Sequence, residues 1–348
     1  MQDDNGIKIK NQNRERRSSS RRSAGFFISA ERLIFAAFYR MITGIINTWC
    51  SLRQMTVNLK TKGMILLKIQ FLGTAAAEGW PALFCDCPFC REAAVRGGRN
   101  IRSRSQSIVD DRLLIDFPAD TFWHAVRFGV PLPKVEHVLI TYSHEDHFYP
   151  LDILTKMPPY AHAHSSDEMP LLTLYGNEAV VAQMNAALIG VYGKKGESGW
   201  KPWLCLQTVH PFEPFSAGEY CVTPLLSDHM STEQAVYYCI EKDGKRLLYA
   251  HDTGVFLPET LAFLKGKRFD AVSLDCTFGT VNWEHGHMGF PQNLQMRQWI
   301  LQNGCADEKT VFVSNHFSHN GTAIYDRMAE LTQNTGIEVS YDGMTFEF

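Results

Sequence analysis

The sequence predicts an α/β sandwich with mixed sheets, on three observations. Short apolar runs of strand character alternate with helical periodicities from residue 64 onward, with no obvious linker between them. The 348 residues are 45% hydrophobic and 20% charged, an ordinary globular balance with enough chain for a sizeable core. The polar residues of chemical interest recur just past the apolar runs, where a scaffold usually carries its ligands.

The strand-like runs fall at 65–72, 113–115, 138–140, 221–226, 247–249, 271–274 and 311–313. Helical patterns fall at 178–188, 258–264, 292–302 and 323–332, and no internal repeat is visible. Residues 1–63 differ in composition from the rest. Residues 11–22 are polar and basic, and 24–50 are apolar but interrupted by Glu31, Arg32 and Arg40. A spanning helix needs about 20 mostly apolar residues, so stable membrane insertion is not expected. Residues 1–63 therefore read as a poorly ordered basic N-terminal extension, with a membrane- or partner-binding amphipathic helix and a targeting signal as the alternatives. Residues 64–348 read as the folded domain.

The formal net charge of −3 gives no reason to expect a nucleic-acid partner. Nine cysteines, an odd number, do not form a complete disulfide framework. Three of them, Cys85, Cys87 and Cys90, form C-x-C-x2-C, a spacing suited to tetrahedral zinc in a loop. The fourth ligand is expected to be His319, and the site to be closed and structural. The scattered remainder read as small buried apolar residues in a reducing, cytoplasmic setting.

A second constellation follows the run 138–140, in Tyr142-Ser143-His144-Glu145-Asp146-His147. Imidazole and carboxylate groups in so short a turn can face one cation. His229, Asp252 and His316 follow three further apolar runs, and Asp116 ends another as a carboxylate placed to orient a ligand. His251 precedes Asp252 and is a candidate for the same supporting role. His162 and His164 sit in a Pro-rich stretch that reads as a surface loop.

This ordered set resembles the metallo-β-lactamase superfamily over essentially all of residues 64–348. The resemblance implies an αββα sandwich, two mixed sheets flanked by helices, with one or two divalent metals, zinc or manganese, at one edge. It implies a first metal position held by the motif's first two histidines with His229 and Asp252. It implies a second held by Asp146, His147, Asp252 and His316. This chain departs from the motif in carrying Tyr142 where the first histidine belongs. A phenol with a pKa near 10 is a poor ligand at neutral pH, so the first position keeps only His144, His229 and Asp252. The expectation is one tight and one weakened site, with Tyr142 either hydrogen-bonding a water at the metal or disabling the enzyme.

C-x-C-x2-C near the start, with His316-x-x-His319 near the end, resembles the branch containing the phosphoribosyl 1,2-cyclic phosphate phosphodiesterase of the carbon–phosphorus lyase pathway. The segment 339–344 resembles it too. The pyrroloquinoline quinone biosynthesis protein shares the Cys motif and is the nearest competitor. The branch also implies a histidine from the loop after 271–274, best matched by His287, with His285 as the alternative. The expected activity is opening of a small, cyclic or activated phosphodiester by a metal-activated water, with Asp146 in the reacting centre and His287 binding phosphate or protonating the leaving oxygen. Two rivals stand beside it: hydrolysis of another ester such as a lactone or thioester, and a catalytically impaired metal- or ligand-binding protein. The resemblance also points to a homodimer.

Overall fold

The computed structural model describes residues 66–162, 169–193 and 196–348. The extension expected over 1–63, its boundary at residue 64 and His164 lie outside the described residues. Two seven-stranded sheets form the body. In spatial order the first runs Thr345–Glu347 (β14), Lys68–Gly73 (β1), Gln106–Val109 (β2), Leu113–Ile115 (β3), His137–Leu139 (β4), Leu172–Gly176 (β5) and Leu204–Thr208 (β6). The second runs Glu338–Val339 (β13), Val311–Asn315 (β12), Ala271–Asp275 (β11), Lys245–Ala250 (β10), Val236–Lys242 (β9), Tyr220–Leu226 (β8) and Phe215–Ala217 (β7).

Each sheet is half antiparallel and half parallel. Pairing is parallel from β3 to β6 and from β10 to β13, and antiparallel elsewhere. The sheets meet face to face because strand residues alternate sides. Leu247 and Tyr249 of β10 pack with Ile69 and Phe71 of β1 in the layer between sheets. Leu248 and Ala250 point the other way, into a core shared with the helices Pro258–Leu264 and Phe290–Gln302. On the far side of the first sheet, Val138 and Leu174 pack with Val180, Met184 and Leu188. Those three recur at fourfold spacing along the helix Glu178–Tyr192, which opens with the Asn177 side chain accepting the Val180 amide. The αββα order of layers is thus met.

Several sequence expectations shift at their edges. The first strand begins at Lys68 rather than residue 65, although Leu67 still pairs with Phe348 through backbone hydrogen bonds. The helix expected over 323–332 is Tyr325–Leu331. The cysteine motif is only half loop. Pro88 starts the helix Pro88–Arg96, and Cys87 caps it, its Sγ accepting the Cys90 amide at 3.4 Å. Among the described residues, no helix is long and apolar enough to cross a membrane.

The consequence for function lies in the parallel halves. The carboxyl ends of β3, β4, β10, β11 and β12 carry Asp116, the motif 142–147, Asp252, the loop to His287, and His316, in that order. Ligands in open α/β sheets bind outside the carboxyl ends of the strands, and here both sheets send theirs to one edge.

Candidate metal centres

At the end of β3, Asp116 is fully buried and its backbone turns into the left-handed region, φ 65°. One carboxylate oxygen accepts the Thr141 amide and hydroxyl, both at 2.9 Å. The other accepts His147 Nδ1–H at 2.8 Å, which fixes the ring with Nε2 directed inward. His147 Nε2 lies 2.5 Å from Asp252 Oδ2 and 3.2 Å from Asp146 Oδ2. His316 Nε2 lies 3.2 Å from the same Asp252 oxygen. Asp252 and His316 also take left-handed backbone, φ 48° and 61°, so three site residues occupy a conformation that L side chains rarely adopt.

None of these close approaches has the alignment of a hydrogen bond. His147 Nε2, His316 Nε2 and both Asp252 carboxylate oxygens are buried without a hydrogen-bond partner. Four orphaned ligand atoms at one point are costly unless something binds them. Imidazole nitrogen with carboxylate oxygen suits zinc or manganese. Burial alone would keep His147 neutral, but the carboxylates of Asp252, Asp146 and Asp116 push its pKa well above the ordinary range. Burial likewise opposes the Asp252 charge, yet His316, His147 and His229 hold its pKa well below that of an ordinary carboxylate. The negative potential that draws a proton to His147 would equally draw a divalent cation.

The histidine after β11 is His287. Its Nδ1 sits 3.2 Å from Asp275 Oδ2, 3.1 Å from Thr277 Oγ1 and 3.4 Å from Asp252 Oδ1. Burial lowers its pKa, but Asp275 outweighs that and Asp252 and Asp146 add to it, raising it to about 9. His285 does not take this place, because its side chain is 82% exposed and lies beside Asp228 instead. His251 is buried beneath the centre rather than in it, bonded to Ser273 at 2.7 Å with its ring 6.2 Å from that of His316.

The two histidines of the first metal position, His144 and His229, both line the pocket, with ring centroids 5.9 Å apart. Among the described residues, His144 and His229 belong to none of the clusters whose ligand atoms approach within 4.8 Å of one another. Tyr142 stands beside both, its buried ring 4.6 Å from that of His144, 4.7 Å from His147 and 5.0 Å from His229. Burial, with Asp252 nearby, pushes the phenol well above its ordinary pKa, so it stays neutral and a poor ligand.

Sequence reasoning missed Asp275 and Thr277. Asp275 accepts the amides of Asp252, Thr277 and Met288, and so ties three segments of the site together. Thr277 Oγ1 meets His316 Nδ1 at 2.9 Å and orients it. The one available signal was that Asp275 ends a strand, as the ligand-bearing runs do. The resulting pocket is about 230 Å³, and its lining includes Tyr142, His144, Asp146, His229, Asp252, His287 and His316 together with Glu78, Ser318 and Asn320.

The ligand atoms of Cys85, Cys87, Cys90 and His319 all lie within 4.8 Å of one another. His319 Nδ1 lies 3.6 Å from Cys85 Sγ and 3.5 Å from Cys87 Sγ. A tetrahedral zinc with bonds of about 2.3 Å to sulfur and 2.0 Å to nitrogen would separate those atoms by about 3.5 Å, so the cradle fits that ion. Burial raises the Cys87 thiol, but the Cys90 amide and His319 bring it down to about 6. Burial drives Cys90 up to about 12. On its other side, His319 Nε2 faces Glu78 Oε1 at 3.6 Å, and Glu78 also takes the Ser318 hydroxyl. One carboxylate therefore touches both the cysteine site and the pocket wall.

A family model described as the beta-lactamase superfamily domain matches residues 112–311, more than half of the chain. The chain belongs to this superfamily. Coenzyme PQQ synthesis protein B of Methylobacterium radiotolerans is 28% identical over 205 residues, 53% of this chain and 64% of that protein, so the chain spans under two thirds of this curated relative. A diphosphatase of the PhnP family superposes with a TM-score of 0.60 at 20% identity, covering 82% of this chain and 98% of that one. Zinc-bound PqqB of Methylobacterium extorquens superposes with a TM-score of 0.58 at 18% identity, covering 81% and 100%. Both share the metallo-β-lactamase fold, and the family is one of metal-dependent hydrolases.

Proposed function

We propose that the chain hydrolyses a small phosphodiester with a single divalent metal, zinc or manganese, held by Asp146, His147, Asp252 and His316. The observation that carries this reading is the set of four orphaned ligand atoms beside a histidine whose pKa is raised to about 9. When bound, the metal supplies Lewis acidity toward a phosphoryl oxygen and lowers the pKa of water from about 15.7 toward about 7.

The chain's own residues do the rest. Asp275 and Thr277 hold Nδ1 of His287, which leaves Nε2 for the pocket. The imidazolium is charged at neutral pH, so it can neutralise a phosphate oxygen and then give its proton to the departing oxygen. Asp146 is 8% exposed at the pocket floor, with a pKa that burial raises but His147 brings below the ordinary value. It stays ionised and orients the attacking water. A volume of about 230 Å³ admits a small diester and little more. The diphosphatase named among the structural relatives supports phosphorus chemistry on this fold.

The test is turnover of a diester panel, with lactones and thioesters beside it, by metal-loaded and chelator-treated protein. His287→Ala should lower kcat by about 10²- to 10⁴-fold, with metal content unchanged. Undiminished turnover removes His287 from the mechanism. A second reading, a ligand-binding protein without catalysis, is favoured by the Tyr142 ring in the first metal position. Metal-loaded protein inert toward every ester would establish that reading instead.

A further inference from the structure

The loop between β11 and the helix Phe290–Gln302 carries two aromatic residues that the hydrolytic chemistry leaves unused. Phe278 lines the pocket, its ring centroid 6.0 Å from that of His287. Trp283 stacks on Phe278, with centroids 4.4 Å apart and planes 15° from parallel. It remains 46% exposed. A large aromatic left in water is ordinary when it is loosely held. This one is pinned. Its amide donates to Gln292 Oε1 at 3.1 Å, its indole N–H donates to the His285 carbonyl at 2.7 Å, and its carbonyl accepts the Gly289 amide at 3.0 Å. Gln292 is itself buried, 4% exposed. The loop closes so tightly that a Cβ on Gly289 would meet the Val281 carbonyl at 1.7 Å. The platform is therefore held in place before any ligand arrives, which removes an ordering cost from binding.

We propose that Phe278 and Trp283 form a stacking platform for a planar ring on the substrate, adjoining the phosphoryl centre. This rests on the phosphodiester reading and names its substrate class: one phosphoryl group joined to an aromatic or nucleobase-like ring. The pocket is too small to enclose such a ring beside the phosphoryl group, and the platform offers the ring a place at the mouth. The pocket lining also carries the Glu78 carboxylate, which disfavours a second anionic group beside it.

The experiment is calorimetric titration of metal-loaded full chain with adenosine 5′-monophosphate, phenyl phosphate and ribose 5-phosphate. The wild type should bind the adenosine compound more tightly than ribose 5-phosphate. Trp283→Ala should erase that preference, a loss of about 5- to 150-fold, and leave ribose 5-phosphate unchanged. Trp283→Phe should restore most of it, which separates stacking from a folding defect. If phenyl phosphate matches the adenosine compound, any planar ring is accepted. If it does not, the platform selects a nucleobase. Equal affinities in the wild type, no binding of any probe, or a parallel loss for all three in Trp283→Ala overturns the platform. Diester turnover without ring preference defeats the platform alone. Ring preference without turnover defeats the hydrolase reading alone.

Discussion

Three of the four ligands at the cysteine site come from the single stretch 85–90, whereas the four residues proposed for the His/Asp site come from loops ending β4, β10 and β12. The first needs only one turn of chain plus His319. The second exists only once both sheets have formed and packed, because β4 belongs to one sheet and β10 and β12 to the other. Local ligands set much of their own geometry, with the Cys87 amide 3.4 Å from Cys85 Sγ and the Cys90 amide 3.4 Å from Cys87 Sγ. Distant ligands must be held by others. Asp116 holds His147, Thr277 holds His316, and Asp275 holds the loop of His287. The two sites meet on one segment, since His316 and His319 follow β12 three residues apart.

The largest expected effect comes from removing the ligand shared across the His/Asp site. Asp252→Ala should reduce turnover by at least about 1000-fold, and elemental analysis should show zinc kept at the cysteines. Loss of both metals would mean that the sites do not load independently. Next in size, Tyr142→His should open the first position between His144 and His229. Metal content should rise from about two per chain to about three, and an unchanged content would show that the ring is not what blocks it.

Cys87→Ser should leave the fold recognisable but less stable, by on the order of 3 kcal/mol, because the large inter-sheet core does not depend on it. The comparison is sharpened if activity falls in step with cysteine-site zinc, since Glu78 and the loop after β12 link the two. A melting curve identical to that of the wild type would deny the site a structural role.

The smallest effect concerns His124, fully buried between Ser103 and Gln106. Gln106 in turn donates to the Asp116 carbonyl at 2.9 Å. Burial lowers the His124 pKa to about 4 from an ordinary 6.5, so the folded state keeps it neutral. Its contribution is complete above about pH 6.5 and is lost as pH falls through about 4, amounting to about 2 kcal/mol by pH 5. Denaturant midpoints at pH 7 and pH 5 should therefore diverge less in His124→Asn than in the wild type, and equal slopes would exclude it.

Most of this centre is legible from residue order alone. Polar residues that follow apolar runs announce themselves, and so His147, Asp252 and His316 could be named before any fold was known. His319 was legible because C-x-C-x2-C lacks a fourth ligand. Asp275 was not, since it is the last residue of its own strand and has no spacing to a partner. Strand β2 was hidden because Gln106 and Ser107 are polar yet fully buried, their side chains bonded internally. The place of the Tyr142 ring beside both His144 and His229 could not be read either. The sequence names Tyr142 but does not say where six ring carbons come to rest.

Asp116, Asp252 and His316 all hold left-handed backbone that glycine would adopt without strain. Each carries a local handicap of about 1 kcal/mol or more. At Asp116 the side chain offsets part of that handicap by accepting the Thr141 amide and hydroxyl and His147 Nδ1–H. Asp252 has no such bond to its carboxylate oxygens, so its strained corner is repaid only when something binds them.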